Sequence, residues 1–104
     1  MEPTKKDWKL YREKIVEWQE SYMEKLIQEY VTYLKKDIPA STKFWELEKR
    51  IKIDKKKRGV LVEMSKSNMI WDIVGLIHDG VITLDDLAKF SDELVETIEY
   101  ILNR

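Results

Sequence analysis

The first stretch that invites a chemical interpretation runs from Asp79 to Asp86, where a glycine turn carries several oxygen ligands. It matches the second half of a calcium-binding EF-hand loop, with Gly80 at loop position 6 and the Asp86 carboxylate at position 12. Positions 1 and 3 of that loop would be Gly75 and Ile77, whose side chains cannot bind calcium. Because the two strongest ligands are missing, the turn is interpreted as a helix end, with Gly80 in a left-handed conformation.

The one histidine, His78, has no obvious chemical partner. Metal sites need several nitrogen or sulfur ligands, and the chain contains no cysteine, so it forms no disulfide either. The sequence has no nucleophile elbow for a catalytic serine, and its three scattered glycines form no phosphate loop. His78 is therefore interpreted as favouring the negative end of a helix. The sequence predicts no catalytic residue, no metal and no cofactor, and hence a protein that is not an enzyme.

A basic run after the second predicted helix is the best candidate for binding an anion: Lys49, Arg50, Lys52, Lys55, Lys56, Lys57 and Arg58. Residues 41–58 carry eight Lys or Arg against three acids, whereas residues 59–104 carry three against nine. Nucleic acid could bind the run, with Trp45 stacking on bases. The favoured interpretation is a solvated run that is attracted to acidic residues of this chain or another, since the net charge is −1. An anionic protein partner is the third interpretation.

The element that must position these groups is a long first helix, from a capping box at Thr4 and Asp7 to about Lys36. Its aromatic residues are candidates for an interaction surface, although core packing is the favoured interpretation: Trp8, Tyr11, Trp18, Tyr22, Tyr30 and Tyr33. A second apolar row lies beside them and contains Val16, Met23, Ile27 and Leu34. The two rows cover more of the helix than one neighbour needs. We therefore expect two neighbours, or one neighbour and a second protein chain.

The length of this helix supports the same expectation. About 32 residues at ~1.5 Å each extend ~48 Å, whereas a compact domain of this size is ~35 Å across. The helix must therefore kink, project from the domain or pair with a second copy. Pairing, and hence a homodimer, is the favoured outcome.

Three further helices are predicted. Ile38-Pro39 ends the first, and Ser41 or Thr42 caps a second helix, with Phe44, Leu47 and Ile51 on one face and Gly59 as its stop. Residues 60–64 fit either a strand or a helix, and we favour a helix. Residues 68–78 form a third helix that is apolar nearly all round and therefore buried. Thr83 begins the last helix, with a kink or a new cap near Ser91.

Two residues of the third helix need an explanation. Asp72 either lies on an exposed strip or is buried with a Lys, Arg or indole partner, and Gly75 allows another helix to approach closely. Trp71 is expected to be buried, so that Trp71→Ala would lose ~3–5 kcal/mol of stability.

Five segments carry a resemblance to a known group: KDWKL (6–10), WQE (18–20), KFWELEKRI (43–51), MIWD (69–72) and DGVIT (79–83). They resemble a family of short uncharacterised bacterial helical proteins, some of which are automatically labelled "multidrug transporter". No stretch here approaches the ~18 apolar residues of a membrane span, which contradicts that label. The resemblance implies no activity and no functional residue.

Taken together, the sequence predicts one all-α domain over residues 1–104, an irregular bundle of about four helices. The N-terminus has no apolar signal-peptide core, and the absence of cysteine fits a reducing compartment, so a cytoplasmic protein is expected. The leading functional hypothesis is a self-associating protein-interaction module without catalysis. The alternative is a nucleic-acid-binding accessory protein that uses the basic run at residues 49–58.

Overall fold

The computed structural model of the protein describes residues 2–104. Its helices are α1 (Lys5–Leu34), α2 (Ala40–Asp54), α3 (Met69–His78) and α4 (Asp92–Leu102). Short 3-10 turns lie at Lys66–Asn68 and Leu84–Leu87, and no residue from 2 to 104 is in a strand. The predicted all-α fold with a long N-terminal helix is confirmed.

The N-terminus of α1 is joined to the start of α4 through a single carboxylate. Thr4 caps α1 as predicted, since its hydroxyl accepts a hydrogen bond from the Asp7 amide at 3.1 Å. The buried Asp7 carboxylate does not return to Thr4 but accepts hydrogen bonds from the Ser91 amide at 3.0 Å and from the Ser91 hydroxyl. Ser91 in turn caps α4 by accepting from the Leu94 amide at 3.2 Å. Asp7 thus orients the helix cap of a segment that lies 84 residues away.

The main core surrounds the first half of α1. There Tyr11, Ile15 and Trp18 pack with residues of α3, of the Leu84–Leu87 turn and of α4. Each apolar partner exposes less than a tenth of its surface, and the partners are Met69, Ile70, Ile73, Leu76, Ile82, Leu87, Phe90, Leu94 and Ile98. The aromatic side of α1 is therefore a core surface.

The second half of α1 extends beyond this core as a continuous helix. The molecule measures 52 × 24 × 21 Å, and its radius of gyration of 16.6 Å exceeds the ~13 Å of a compact domain of this size. In this half of α1, Tyr22, Leu26 and Tyr30 form a smaller cluster. The partly buried Leu47, Val60 and Val81 pack against it. The long helix was expected to kink, to project from the domain or to pair with a second copy. In the structure it projects beyond the main core, and α1 has no break.

Several predicted boundaries were wrong. No side chain of Ser41 or Thr42 caps α2, which begins at Ala40 after Pro39. Residues 61–65 are an irregular connection, so the helix expected at 60–64 is absent. Helix α2 already ends at Asp54, and Gly59 has a different role from the predicted helix stop. A Cβ at Gly59 would lie 2.3 Å from the Tyr22 ring, so this glycine lets the chain pass directly over that ring.

The glycine turn after α3 is as predicted, but the helix after it is not. Gly80 has a φ of 75°, and the Val81 amide donates to the Leu76 carbonyl at 2.9 Å, which forms a Schellman cap. The capping box at Thr83 is present, with the Thr83 amide donating to the Asp86 carboxylate at 2.8 Å. It begins only the short 3-10 turn. The last helix starts at Asp92, after the new cap at Ser91 that the sequence offered as an alternative.

Helix α3 is buried on one face rather than all round. Its inward residues include Met69, Ile73 and Leu76, which are fully buried. Trp71 lies on the opposite side of the helix and remains 51% exposed, with the Arg104 guanidinium 5.8 Å from its ring centroid. The expectation that Trp71 is buried was therefore wrong, because α3 is covered only by α1 and α4 and their connections.

This placement reverses the expected cost of removing the indole. We expect Trp71→Ala to lower the free energy of unfolding by about 1 kcal/mol or less, as for other partly exposed surface residues. Ile73→Ala, on the inward face of the same helix, should cost ~2–5 kcal/mol because it leaves a cavity. Chemical denaturation of both variants measures the two losses, and equal losses would contradict the assigned orientation of α3.

Candidate interaction surface

The projecting half of α1 and helix α2 form a helical hairpin, which is held together at a few polar points. The Tyr30 hydroxyl donates a hydrogen bond to the Asp54 carboxylate, which also forms an ion pair at 3.1 Å with Lys57 of the turn after α2. The Arg50 guanidinium lies 4.2 Å from the centroid of the Tyr33 ring. The contacts of Tyr30 and Tyr33 hold α2 against α1, although no residue of α2 is itself buried.

A shallow groove of about 220 Å³, here called the hairpin groove, runs between the two helices. Residues from α1, from α2 and from the turn that follows α2 line it: Met23, Leu26, Ile27, Tyr30, Ile51, Asp54, Lys55 and Val60. Most of these side chains are apolar, so the groove offers a hydrocarbon surface with a lysine and an aspartate among its lining. Such a surface fits an apolar side chain of a partner.

Two residues of the second apolar row of α1, Met23 and Ile27, line this groove, and the other two, Val16 and Leu34, lie outside its lining. Val16 is 68% exposed, Ile27 is 50% exposed and Leu34 is 37% exposed. Eight of the thirteen large hydrophobic side chains that are exposed in residues 2–104 belong to α1 and α2. The surplus of apolar surface on this molecule is therefore concentrated on the long helix and the hairpin.

The aromatic residues that the sequence offered as an interaction surface lie elsewhere. Tyr11, Trp18, Tyr22, Tyr30 and Tyr33 are all at least nine-tenths buried, and Trp8 is half-buried against the main core. They are core residues, which was the favoured interpretation, because α3, α4 and the turn after α2 cover this side of α1. The exposed aromatic pair is instead Phe44 and Trp45 of α2, whose rings meet edge to face at 5.0 Å. Their exposure could not be read from the sequence, which placed Phe44 on a packed face.

The basic run divides into paired and unpaired side chains. Arg50 pairs with Glu46 at 3.2 Å, Lys52 with Glu48 at 3.2 Å, Lys57 with Asp54 and Arg58 with Asp72 at 3.2 Å. Within residues 2–104, no ion pair involves the three remaining lysines: Lys49, Lys55 and Lys56. The sequence grouped seven cations as one candidate site, whereas the fold uses four of them in its own contacts.

Arg58 joins the turn after α2 to α3 through a buried carboxylate. Its Nε donates to the Asp72 carboxylate, and its guanidinium group and Cδ lie against Gly75, where a Cβ would be 2.6–2.8 Å from these atoms. The Gln19 side chain donates to the Arg58 carbonyl at 2.9 Å. Asp72 is thus buried with an arginine, one of the two expected alternatives. Gly75 admits this arginine rather than another helix.

The same contact leaves two buried oxygens without a hydrogen-bond partner, the Tyr11 hydroxyl and Asp72 Oδ2. Burial raises the pKa of Asp72, and the adjacent Arg58 counteracts that rise. Burial, and then the nearby Asp72 charge, raise the pKa of Tyr11 above its ordinary range. A carboxyl group with a shifted pKa is a functional candidate when it lines a cleft. Here Tyr11 is fully buried and Asp72 is 8% exposed, so neither oxygen is open to a substrate in this conformation.

Metal clusters and membrane-spanning helices are the remaining classes of site that residues 2–104 could form. No group of three or more His, Cys, Asp or Glu there is arranged to hold a metal ion. None of the helices in that range has both the length and the apolar character needed to cross a membrane. Comparison with known proteins found no matching family, no matching curated protein and no matching solved structure.

The hairpin contact between Tyr30 and Asp54 should be detectable as an alkaline transition. Burial, together with the hydrogen bond to Asp54, raises the pKa of Tyr30 from 10.0 to about 12. The folded state therefore prefers the neutral phenol, and Tyr30 makes the free energy of unfolding fall as the pH rises from 10.0 to about 12. We expect Tyr30→Phe to lose ~1 kcal/mol at neutral pH but to weaken less over that alkaline interval. Denaturation at several pH values measures this, and Tyr100→Phe, at an exposed ring, is the control that should keep the wild-type slope.

The Arg58 contact should respond to acid. We expect Arg58→Ala to cost ~1–3 kcal/mol at neutral pH, because it leaves the Asp72 carboxylate buried without its cation. The loss should shrink below the ordinary Asp72 pKa of 3.8, where that carboxyl group is protonated in the folded and the unfolded state. Tyr11→Phe is the control and should change stability by less than ~1 kcal/mol, since its hydroxyl has no partner. A loss for Arg58→Ala that does not depend on pH would contradict the assigned role of Asp72.

Proposed function

We propose that the protein is a small helical interaction module that self-associates through the hairpin groove and the second apolar row of α1. The observation that carries the proposal is the exposure of Val16, Ile27 and Ile51, which is 68%, 50% and 43% in the isolated chain. Removing apolar surface from water yields ~25 cal/mol per Å², and contiguous apolar surface on a soluble protein is typical of an interaction site.

A second copy of the chain is the occupant that we propose. The row on α1 belongs to a straight helix, which can pack against another helix along its length. A two-fold arrangement lets the same row cover itself, as in most homodimers. A second copy would also cover the apolar surface of α1 that exceeds what one neighbour needs.

We further propose that this module acts without catalysis and in the cytoplasm. The absence of catalysis is supported by the enclosure of the Asp72 and Tyr11 oxygens. Burial shifts the pKa of both groups but also closes them to a substrate. Support for the second part is the complete absence of cysteine from the sequence, which suits a reducing compartment.

The alternative function, binding of nucleic acid, retains one favourable observation. Trp45, Lys49 and Lys52 follow each other at helical spacing on the side of α2 away from α1, and Lys56 follows in the turn after α2. All four are exposed. An aromatic ring among lysines suits single-stranded nucleic acid.

The apolar interface is tested by placing a charge in it. We expect Ile27→Glu to shift the protein to monomers in sedimentation velocity at ~10–100 μM, because a carboxylate would have to be buried in the interface. Tyr100→Glu, which introduces the same charge at a 71% exposed position of α4, is the matched control and should leave association unchanged. A wild-type protein that is monomeric throughout this range would refute the proposed self-association.

The alternative is tested separately with a single-stranded oligonucleotide at low salt. If the exposed side of α2 binds it, Lys49→Glu combined with Lys56→Glu should abolish the mobility shift, and the wild-type affinity should fall steeply with added salt. The absence of any shift for the wild type at low salt would exclude this alternative.

A further inference from the structure

Carboxylates surround Val16, the first side chain of the second apolar row of α1. Glu13, Val16 and Glu20 share one face of the helix at spacings of three and four, and Glu17 lies beside them around a shallow depression. All four are exposed. This part of α1, residues 13–20, here called the acidic segment, precedes the region that α2 accompanies. It presents one apolar side chain between carboxylates.

The hairpin groove offers the complementary pattern. Its apolar lining includes Ile27 and Ile51, both about half exposed, and Lys55 lies at the same groove. Lys56 follows in the exposed turn after α2. Lys55 and Lys56 form no ion pair within residues 2–104, and neither do Glu13 and Glu20. Two unpaired carboxylates flanking an apolar side chain thus correspond to two unpaired lysines beside an apolar groove.

The geometry points to a specific dimer: the acidic segment of one copy lies in the hairpin groove of a second copy, with the two α1 helices antiparallel. This inference rests on the proposed self-association and adds its orientation. The 68% exposed Val16 then packs against Ile27 and Ile51 of the second copy, while Glu13 and Glu20 approach that copy's Lys55 and Lys56. Because the contact is isologous, each set of contacts forms twice.

The opposite orientation is disfavoured by the same charges. Two parallel α1 helices packed row to row would place Glu13 and Glu20 against their own copies, and like charges repel. Exposed ion pairs contribute little affinity individually, so the apolar surface supplies the binding while the charges select the orientation.

The test uses charge reversal at the four unpaired residues. An acid-reversed chain carries Glu13→Lys and Glu20→Lys, and a base-reversed chain carries Lys55→Glu and Lys56→Glu. Each alone should dimerise at least about tenfold more weakly than the wild type at low ionic strength. A chain with all four substitutions should dimerise as the wild type does, since acids and bases have merely exchanged places. In a parallel dimer neither two-site variant would be weakened, because like charges face each other before and after each reversal.

Sedimentation velocity measures the association of all four chains, and circular dichroism checks that each is folded. Unchanged dimerisation of both two-site variants would overturn the antiparallel contact, while a loss for Ile27→Glu would still uphold self-association. Weakening of both without recovery in the combined variant would also overturn the orientation. A monomeric wild type would overturn the inference together with the proposed function.

A second measurement gives the orientation directly, since the chain has no natural cysteine. A mixture of Val16→Cys and Ile27→Cys chains should form a disulfide-linked heterodimer on oxidation in preference to either homodimer. Preferential cross-linking of Val16→Cys with itself would overturn the antiparallel arrangement.

Discussion

The constraint on which this structure depends is that α1 is a single continuous helix longer than the core it helps to build. Its 30 residues run unbroken from Lys5 to Leu34, while α3 and α4 have 10 and 11 residues. The short helices can cover only the first half of α1. The second half must find cover from α2 and from the turn at Gly59, and this cover is partial. The exposed groove is a direct consequence of this mismatch in length.

The ends of α1 show how few contacts maintain the arrangement. At the N-terminus, the Asp7 carboxylate binds the Ser91 amide and hydroxyl and so aligns α4 against the start of α1. At the other end, the polar contacts of α2 with α1 are those that Tyr30 and Tyr33 make with Asp54 and Arg50. Between them, Arg58 connects α3 to the turn after α2 through Asp72. A charged or hydroxyl side chain thus positions each junction, and the apolar clusters fill the space between junctions.

The functional consequence concerns what the chain leaves uncovered. The chain buries most of the aromatic residues of α1, with Tyr11 at 0% exposure. Val16, Phe44 and Trp45 of α1 and α2 are nevertheless more than 60% exposed, as are Leu61 and Tyr100 elsewhere. The proposed dimer explains the exposure of Val16 and of the groove by one contact. Phe44 and Trp45, at the far end of α2, stay accessible for a different partner.

Much of the local structure was determined by short-range patterns in the sequence. The cap at Thr4, the left-handed Gly80, the capping box at Thr83 and the all-α fold follow from side-chain chemistry that acts within one helical turn. The amphipathic rows of α1 were also readable, because a period of 3.6 residues depends only on helix geometry. Which of the two rows would be the core was an open choice until α3 and α4 were placed. Only the tertiary structure decided that the aromatic row is buried and the aliphatic row exposed.

The errors have the same physical origin. Trp71 belongs to an apolar stretch, yet no element lies over its side of α3, and composition cannot reveal a missing neighbour. The basic run looked uniform, but long-range partners such as Asp72 occupy some of its cations and leave Lys55 and Lys56 unpaired. Asp7 was recognised as a helix-capping residue, whereas its carboxylate serves Ser91, far away in the chain. Sequence alone determined that the chain is helical and which helix faces are apolar. Helix boundaries such as the start of α4, together with burial, pairing and exposure, required the packing of distant segments, because they depend on neighbours that no local pattern encodes.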